Sequence, residues 1–210
     1  VFDRLNETLE AAGLPAAEAK GHFHVSPPAA AAVDAFRHRH GLPTGRYFLM
    51  HAGSAADWPS KRWPAENYLD IAGRLEKMGI SVIWIGGPED RQVNQTLADV
   101  RGIDATGEFS PLQVYALARE AVGALANDSG PMHIFGAANI PVFGFFGPTS
   151  PHRSHALGQK KRVLHNQSVC SPCYSGKCKN RTGHICLVNI SSDSVWQTIL
   201  SEIDVESDCD

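Results

Sequence analysis

From Arg46 onward the chain alternates between short, wholly apolar runs and longer stretches whose apolar residues recur every three or four positions. Residues 47–51 form the first apolar run, closed by Gly53-Ser54, and predict a strand. Pro64-Ala65-Glu66 opens a segment with Tyr68, Leu69, Ala72 and Leu75 on one side and Gly79 past its end. Proline in the first turn and glycine at the exit are the marks of an amphipathic helix. Residues 80–85 predict a second strand, stopped by Gly86-Gly87-Pro88, and residues 89–100 a helix. Ile103-Asp104-Ala105 reads as a weaker strand, stopped at Gly107. Ser110-Pro111 caps another helix with Leu112, Tyr115, Ala116 and Ala118 as its stripe. A strand over 122–126, a short helix over 131–138 and a strand over 141–146 complete the series. Strands apolar at every position are buried on both faces, and regular alternation with helices implies a parallel sheet between helical layers. The predicted fold is α/β, a Rossmann-like doubly wound parallel sheet.

The ends break the pattern. Residues 1–45 hold an alanine-rich helical stretch over 28–40 and no pair of strands, which suits a connector rather than an independent core. Residues 170–186 read as an irregular cysteine-rich loop, and Ser191-Ser192-Asp193 caps a last helix within 191–203, with Val195, Ile199 and Ile203 on one side. Length and composition leave this picture standing: 210 residues, 43% hydrophobic and 20% charged, suit one soluble globular unit. A net charge of −3 without long basic runs gives no reason to expect nucleic acid as a partner. The apolar runs are far short of the ~20 residues that cross a bilayer, and no secretory leader is visible. A first residue that is valine suggests a processed product or a piece of a longer chain.

Candidate chemistry sits in three loops that follow strands. In a parallel sheet such loops share one edge, where ligands bind. The stretch Asn127-Asp128-Ser129-Gly130-Pro131 leads into a helix carrying His133. A helix start offers unpaired N–H groups and a positive dipole end, Gly130 lets an anion approach the backbone, and Ser129 and His133 add donors. Asp128 would repel a phosphate, so it reads as a helix cap or as an acceptor for sugar hydroxyls; alone, the stretch favours an ordinary cap and a core histidine. The loop 51–64 adds Gly53 and Ser54 as oxyanion donors and Lys61 as a positive charge, with a solvated surface lysine as the rival reading. Arg62 reads as a surface or ion-pair residue and Trp63 as a packing anchor. Glu89 could accept both hydroxyls of a ribose, or be a simple first-turn acid. Together the three loops describe a nucleotide-diphosphate site. Neither G-x-G-x-x-G nor G-x-x-x-x-G-K-[ST] occurs, which argues against hydride-transfer enzymes and P-loop NTPases.

Four segments in order, HAGSAADWPSKRWPAENY, VIWIGGPED, NDSGPMHIFGAANIPVFGFFGPTSP and CSPCYSGKCKNRTGHICLVNI, resemble the C-terminal half of glycosyltransferase family 9, the ADP-heptose:lipopolysaccharide heptosyltransferases, over about residues 46–203. The resemblance implies the GT-B architecture, two facing Rossmann-like domains, of which residues 46–210 would be the donor-binding one. It implies that Ser54 and Lys61 contact the donor phosphates, Glu89 holds the ribose and Phe109 lines the nucleobase pocket. Gly53, Asp128, Ser129, Gly130 and His133 would surround the diphosphate and sugar, with Lys61 and Asp128 as the catalytic residues of this half. The family's small hydroxyl pair is Gly53-Ser54 here, and its frequent threonine is Ser129. The implied reaction is inverting transfer from a nucleotide diphosphate sugar, ADP-heptose favoured, to a lipopolysaccharide or other lipid- or protein-linked surface glycan, with no cofactor. The family's acceptor site and general base lie in an N-terminal domain, so residues 1–45 would be its tail and linker and this chain inactive alone. Work at the cytoplasmic face, with peripheral membrane contact, is implied too. Rival readings are another GT-B transferase acting on protein, an epimerase-like nucleotide-sugar enzyme, and a non-catalytic nucleotide-sugar or partner-binding module.

Cys170, Cys173, Cys178 and Cys186 enclose His184 in a compact loop. Four thiols can hold structural Zn or Fe, and reduced thiols are the equal alternative, ahead of disulfides. Members of the resembled family carry similar loops, some with metal. Cys209 reads as a free surface thiol.

Overall fold

The computed structural model describes residues 2–180 and 183–203. Cys209 lies outside them. Six strands form one parallel sheet: β1 (Tyr47–His51), β2 (Ser81–Trp84), β3 (Ile103–Asp104), β4 (Gly123–Asn127), β5 (Val142–Phe146) and β6 (Val163–His165), in the order β3-β2-β1-β4-β5-β6. Tyr47 pairs with Ser81 on one side of β1, and Phe48 with Gly123 on the other. The chain builds outward through β2 and β3, then returns to β1's other flank with β4. The order therefore reverses between β1 and β4, which opens a crevice at their carboxyl ends.

Every residue of β1, β4 and β5 is buried, because both faces are covered. On one face lie α2 (Pro27–Arg39), α5 (Pro111–Ala118) and α6 (Gly130–Ala137), with Phe36, Leu117 and Phe135 meeting Leu49 and Ala124. On the other lie α3 (Ala65–Lys77), α4 (Arg91–Ala98) and α9 (Ser192–Leu200), where Tyr68, Ile71, Leu97 and Ile199 meet Phe48, Trp84 and Phe143. Helix α3 ends as its sequence predicts, on Gly79 at φ +71°, a left-handed conformation that costs glycine little. Ser191 Oγ accepts the Ser194 N–H at 3.2 Å and starts α9, whose Val195 and Ile199 are buried.

Several local expectations change. The helix predicted over 89–100 begins with a 3₁₀ turn, Pro88–Asp90, and is regular only from Arg91. Leu112 is exposed, and α5 buries Val114, Tyr115, Leu117 and Ala118 instead. The segment 1–45 contributes to the core, since Val33 and Phe36 of α2 are buried in it. Elements outside the predicted series also emerge: α1 (Phe2–Ala11), α7 (Pro151–Ser154), β6 and α8 (Ile185–Val188).

Candidate functional site

The loops leaving β1 and β4 flank the crevice, and one side chain stitches them together. Asn127, the fully buried last residue of β4, donates from Nδ2 to the carbonyls of Ala52 and Gly53, both at 2.9 Å. Its Oδ1 accepts from the Trp63 N–H and the Tyr68 hydroxyl, each at 3.1 Å. A buried amide is tolerable only when satisfied in this way. The stitch fixes the 3₁₀ turn Pro59–Lys61 over β4 and delivers Lys61 to Asp128.

Lys61 Nζ lies 2.8 Å from Asp128 Oδ2, donates to the Asp128 carbonyl at 3.2 Å, and stands 4.9 Å above the Trp58 ring. Asp128 also accepts from Thr149 Oγ1 at 2.7 Å and Ser154 Oγ at 3.3 Å. Its carboxylate turns toward these side chains, and residue 129 is the N-cap of α6, so the capping reading of Asp128 gives way. With two hydroxyl donors in place, Asp128 remains hydrogen-bonded if the ammonium moves, which leaves Lys61 a cation that an incoming anion can share. Together Trp58, Lys61, Asp128, Thr149, Arg153 and Tyr174 line much of a groove of about 990 Å³.

Gly130, the first residue of α6, is exposed, and a Cβ there would meet nothing within 4 Å. The backbone is thus open to a ligand. His133, one turn along, is exposed yet crowded. Desolvation lowers its pKa below the ordinary 6.5, Asp128 opposes this, and His155 and Lys61 reinforce it. His133 opens onto a second groove of about 950 Å³, which shares His152, Arg153 and Ser154 with the first.

Other predicted residues sit differently. Ser54 is 3% exposed; its hydroxyl donates to the Trp58 carbonyl at 2.9 Å and accepts from Arg62 Nε at 3.0 Å, so it shapes the loop from within. Arg62, read as a surface or ion-pair residue, is half-buried as that brace. Gly53 is buried against Asp90: a Cβ would fall 1.7 Å from Asp90 Oδ1, so this glycine makes room for a side chain. Glu89 is exposed, its carboxylate lying over Gly87 and outside the groove lining. Half-buried Phe109 packs edge-on against Phe36 of α2, with centroids 4.9 Å apart. Ser129 Oγ lies 3.0 Å from His51 Nδ1. His51 and Asp90 escaped the sequence reading, although a histidine closing an otherwise apolar strand on the ligand-binding edge was a usable signal.

The cysteine loop forms one wall of the groove. Ser60 Oγ donates to the Ser175 carbonyl at 2.7 Å, and the Tyr174 N–H to the Pro148 carbonyl at 2.7 Å. Cys170 and Cys173 are exposed, Cys178 half-buried and Cys186 buried, all as free thiols. Burial raises the Cys186 thiol pKa, and the other three thiols push it further. Among the described residues no group of three or more His, Cys, Asp or Glu is arranged to hold a metal.

Comparisons with known proteins agree with this geometry. The chain is 32% identical over 130 residues to lipopolysaccharide heptosyltransferase 2 of Escherichia coli, covering 59% of this chain and 37% of that protein. The chain thus spans little more than a third of that relative's length. Among solved structures, a glycosyltransferase family 9 protein from Veillonella parvula superposes with a TM-score of 0.71 at 24% identity, covering 93% of this chain and 58% of the other. Escherichia coli ADP-heptose lipopolysaccharide heptosyltransferase II gives 0.67 at 22%, covering 86% and 52%. Likeness at these identities shows the α/β fold. The family model for glycosyltransferase family 9 (heptosyltransferase) matches residues 3–184, and the chain belongs to that family.

Proposed function

We propose that this chain is the donor-binding part of a GT-B sugar transferase, residues 46–210 gripping a nucleotide diphosphate sugar and residues 1–45 leading into them. The favoured donor is ADP-heptose, the sugar nucleotide in the name of a similar solved enzyme. The acceptor is a lipopolysaccharide or related lipid-linked glycan, reached by peripheral contact with the membrane. One observation carries the reading: Lys61, held by Asp128 at 2.8 Å, stands beside an open helix start at the sheet's switch point.

Magnitudes assign the roles. A helix N-terminus favours an anion by about 0.3–1 kcal/mol at a surface. A lysine 4 Å from a phosphate charge gains about 4 kcal/mol at an effective dielectric of ~20. Lys61 therefore supplies most of the stabilisation of the leaving diphosphate, and the backbone at Gly130 orients it. An acceptor hydroxyl attacks the anomeric carbon from the opposite face, and its proton goes to a base outside this chain. Asp128, its charge paired with Lys61 and its oxygens hydrogen-bonded by Thr149 and Ser154, keeps Lys61 in reach.

Calorimetric titration with ADP, ADP-heptose and UDP tests the reading. ADP and ADP-heptose are expected to bind more tightly than UDP, and Lys61→Ala to weaken ADP at least about tenfold, the worth of one charge-assisted hydrogen bond. Absence of binding by all three at millimolar concentration would refute it.

A further inference from the structure

His51 closes a strand that otherwise reads Tyr-Phe-Leu-Met, and it is 2% exposed. An imidazole at such a place is costly unless both nitrogens are partnered. Both are. Nε2 lies 3.2 Å from Asp90 Oδ2, and Nδ1 3.0 Å from Ser129 Oγ. The pair joins the loops that follow three strands: His51 ends β1, Asp90 follows β2, and Ser129 follows β4.

Asp90 occupies a built cradle. It is 3% exposed, and a Cβ on Gly86, as on Gly53, would collide with it, here 2.7 Å from Asp90 Cβ. Its Oδ2 accepts the Gly87 N–H at 3.1 Å, while its buried Oδ1 has no hydrogen-bond partner among the described residues. Burial pushes this carboxyl upward, but the His51 hydrogen bond and charge, the Gly87 N–H and the charge of Arg62 together bring it below the ordinary 3.8. The carboxylate is therefore an acceptor only. A neutral His51 must carry its proton on Nε2, which makes Nδ1 an acceptor for the Ser129 hydroxyl. The single hydroxyl proton is shared between this nitrogen and the Asn127 carbonyl, also 3.0 Å away, and the hydroxyl does not cap α6.

We propose that the His51–Asp90 pair is the positioning device of the anion site. By drawing Ser129 Oγ inward it fixes the N-cap residue of α6 and with it the backbone N–H of Gly130, Pro131 having none. The inference rests on the donor-binding reading and assigns Ser129 a role other than direct phosphate donation. His51 acts through Ser129 and touches no reacting atom.

A double-mutant cycle read by ADP titration tests it. Ser129→Ala and Asp90→Asn are each expected to weaken ADP by about tenfold, and the double variant to be within about twofold of Ser129→Ala alone, since partners in one network are not additive. His51→Asn, which keeps a polar atom near the Nδ1 position, should retain more affinity than His51→Gln, which reaches toward Asp90 only. Long-range ¹H–¹⁵N spectra of the unliganded chain, with the His51 ring identified by its loss in His51→Asn, should show the Nε2–H tautomer. Additive losses, or a neutral ring protonated on Nδ1, overturn the positioning role while leaving donor binding intact. A wild-type chain that binds no nucleotide overturns both, and thermal unfolding of each variant identifies any loss caused by unfolding.

Discussion

His133 is the group in the groove best placed to report a bound anion. Its pKa lies below the ordinary 6.5, first through desolvation and then through His155 and Lys61, with Asp128 opposing. The sign follows from linkage. A diphosphate placed beside the ring favours the imidazolium, so the pKa rises on binding and the complex takes up a proton. ADP affinity should therefore strengthen as pH falls through and below 6.5, levelling once the free protein is protonated as well. Without ligand the effect reverses: the unfolded chain binds the proton more readily, so His133 erodes stability as pH drops below 6.5. Titrations across pH 5–8 in wild type and His133→Gln check this, and an unchanged pH slope in the variant removes His133 from the site.

At the scale of elements, the turn that carries Lys61 is only as firm as Trp63. This side chain is 2% exposed, stacks on Phe145 of β5 at 4.3 Å, meets Tyr68 edge-on at 5.1 Å, and donates from Nε1 to the Ile190 carbonyl at 2.9 Å. It ties α3, β5 and the segment before α9 together. Trp63→Ala should cost about 3–5 kcal/mol by cavity formation. Trp63→Phe, which keeps the stack and loses the N–H, should cost about 1–3 kcal/mol because the Ile190 carbonyl is left unpaired. Urea unfolding measures both, and equal losses would assign the effect to the hydrogen bond rather than to packing. Trp63 was legible as an anchor because a large aromatic beside a helix-opening proline has few other uses. The central strands were legible for a similar reason: burial on both faces leaves polar residues only at strand ends, His51 in β1 and Asn127 in β4. β6, three residues after Lys160-Lys161-Arg162, offered too few positions to show a period. In the site, Lys61 and Asp128 stood out as charges on the ligand-binding edge, whereas the partners that define them did not. Thr149 lies 21 residues from Asp128, and Asp90 39 residues from His51. Such pairings are set by the strand order, which no local pattern encodes. Glu89 was preferred to Asp90 for the same reason, since neighbouring acids look alike until one is buried.

Across the whole molecule, charge is unevenly spread in a way that the net value of −3 conceals. The groove of about 950 Å³ that continues from the candidate donor site is lined by His152, Arg153, His155, Lys160 and Lys161, with no acidic residue among the described residues of its lining. His152 contributes to depressing the pKa of His165, and His155 does the same to His133, so these groups sense one another's charge. Like charges gathered beside a donor site suit an acceptor anchored in an anionic membrane. No helix among the described residues is long and apolar enough to cross one. Each lysine near such a surface contributes about 1 kcal/mol, screened over about 8–10 Å at physiological salt. Lys160 and Lys161 are both exposed, so reversing them should leave the fold intact. Lys160→Glu with Lys161→Glu should lower binding to vesicles containing anionic phospholipid by at least about thirtyfold, the worth of two such charges. ADP affinity, set deeper at Lys61, should change far less. Vesicle co-sedimentation at low and physiological salt reads the first effect and calorimetry the second. If wild type ignores lipid charge, or the variant binds as well as wild type, this groove does not face the membrane and its cations serve the nucleotide alone.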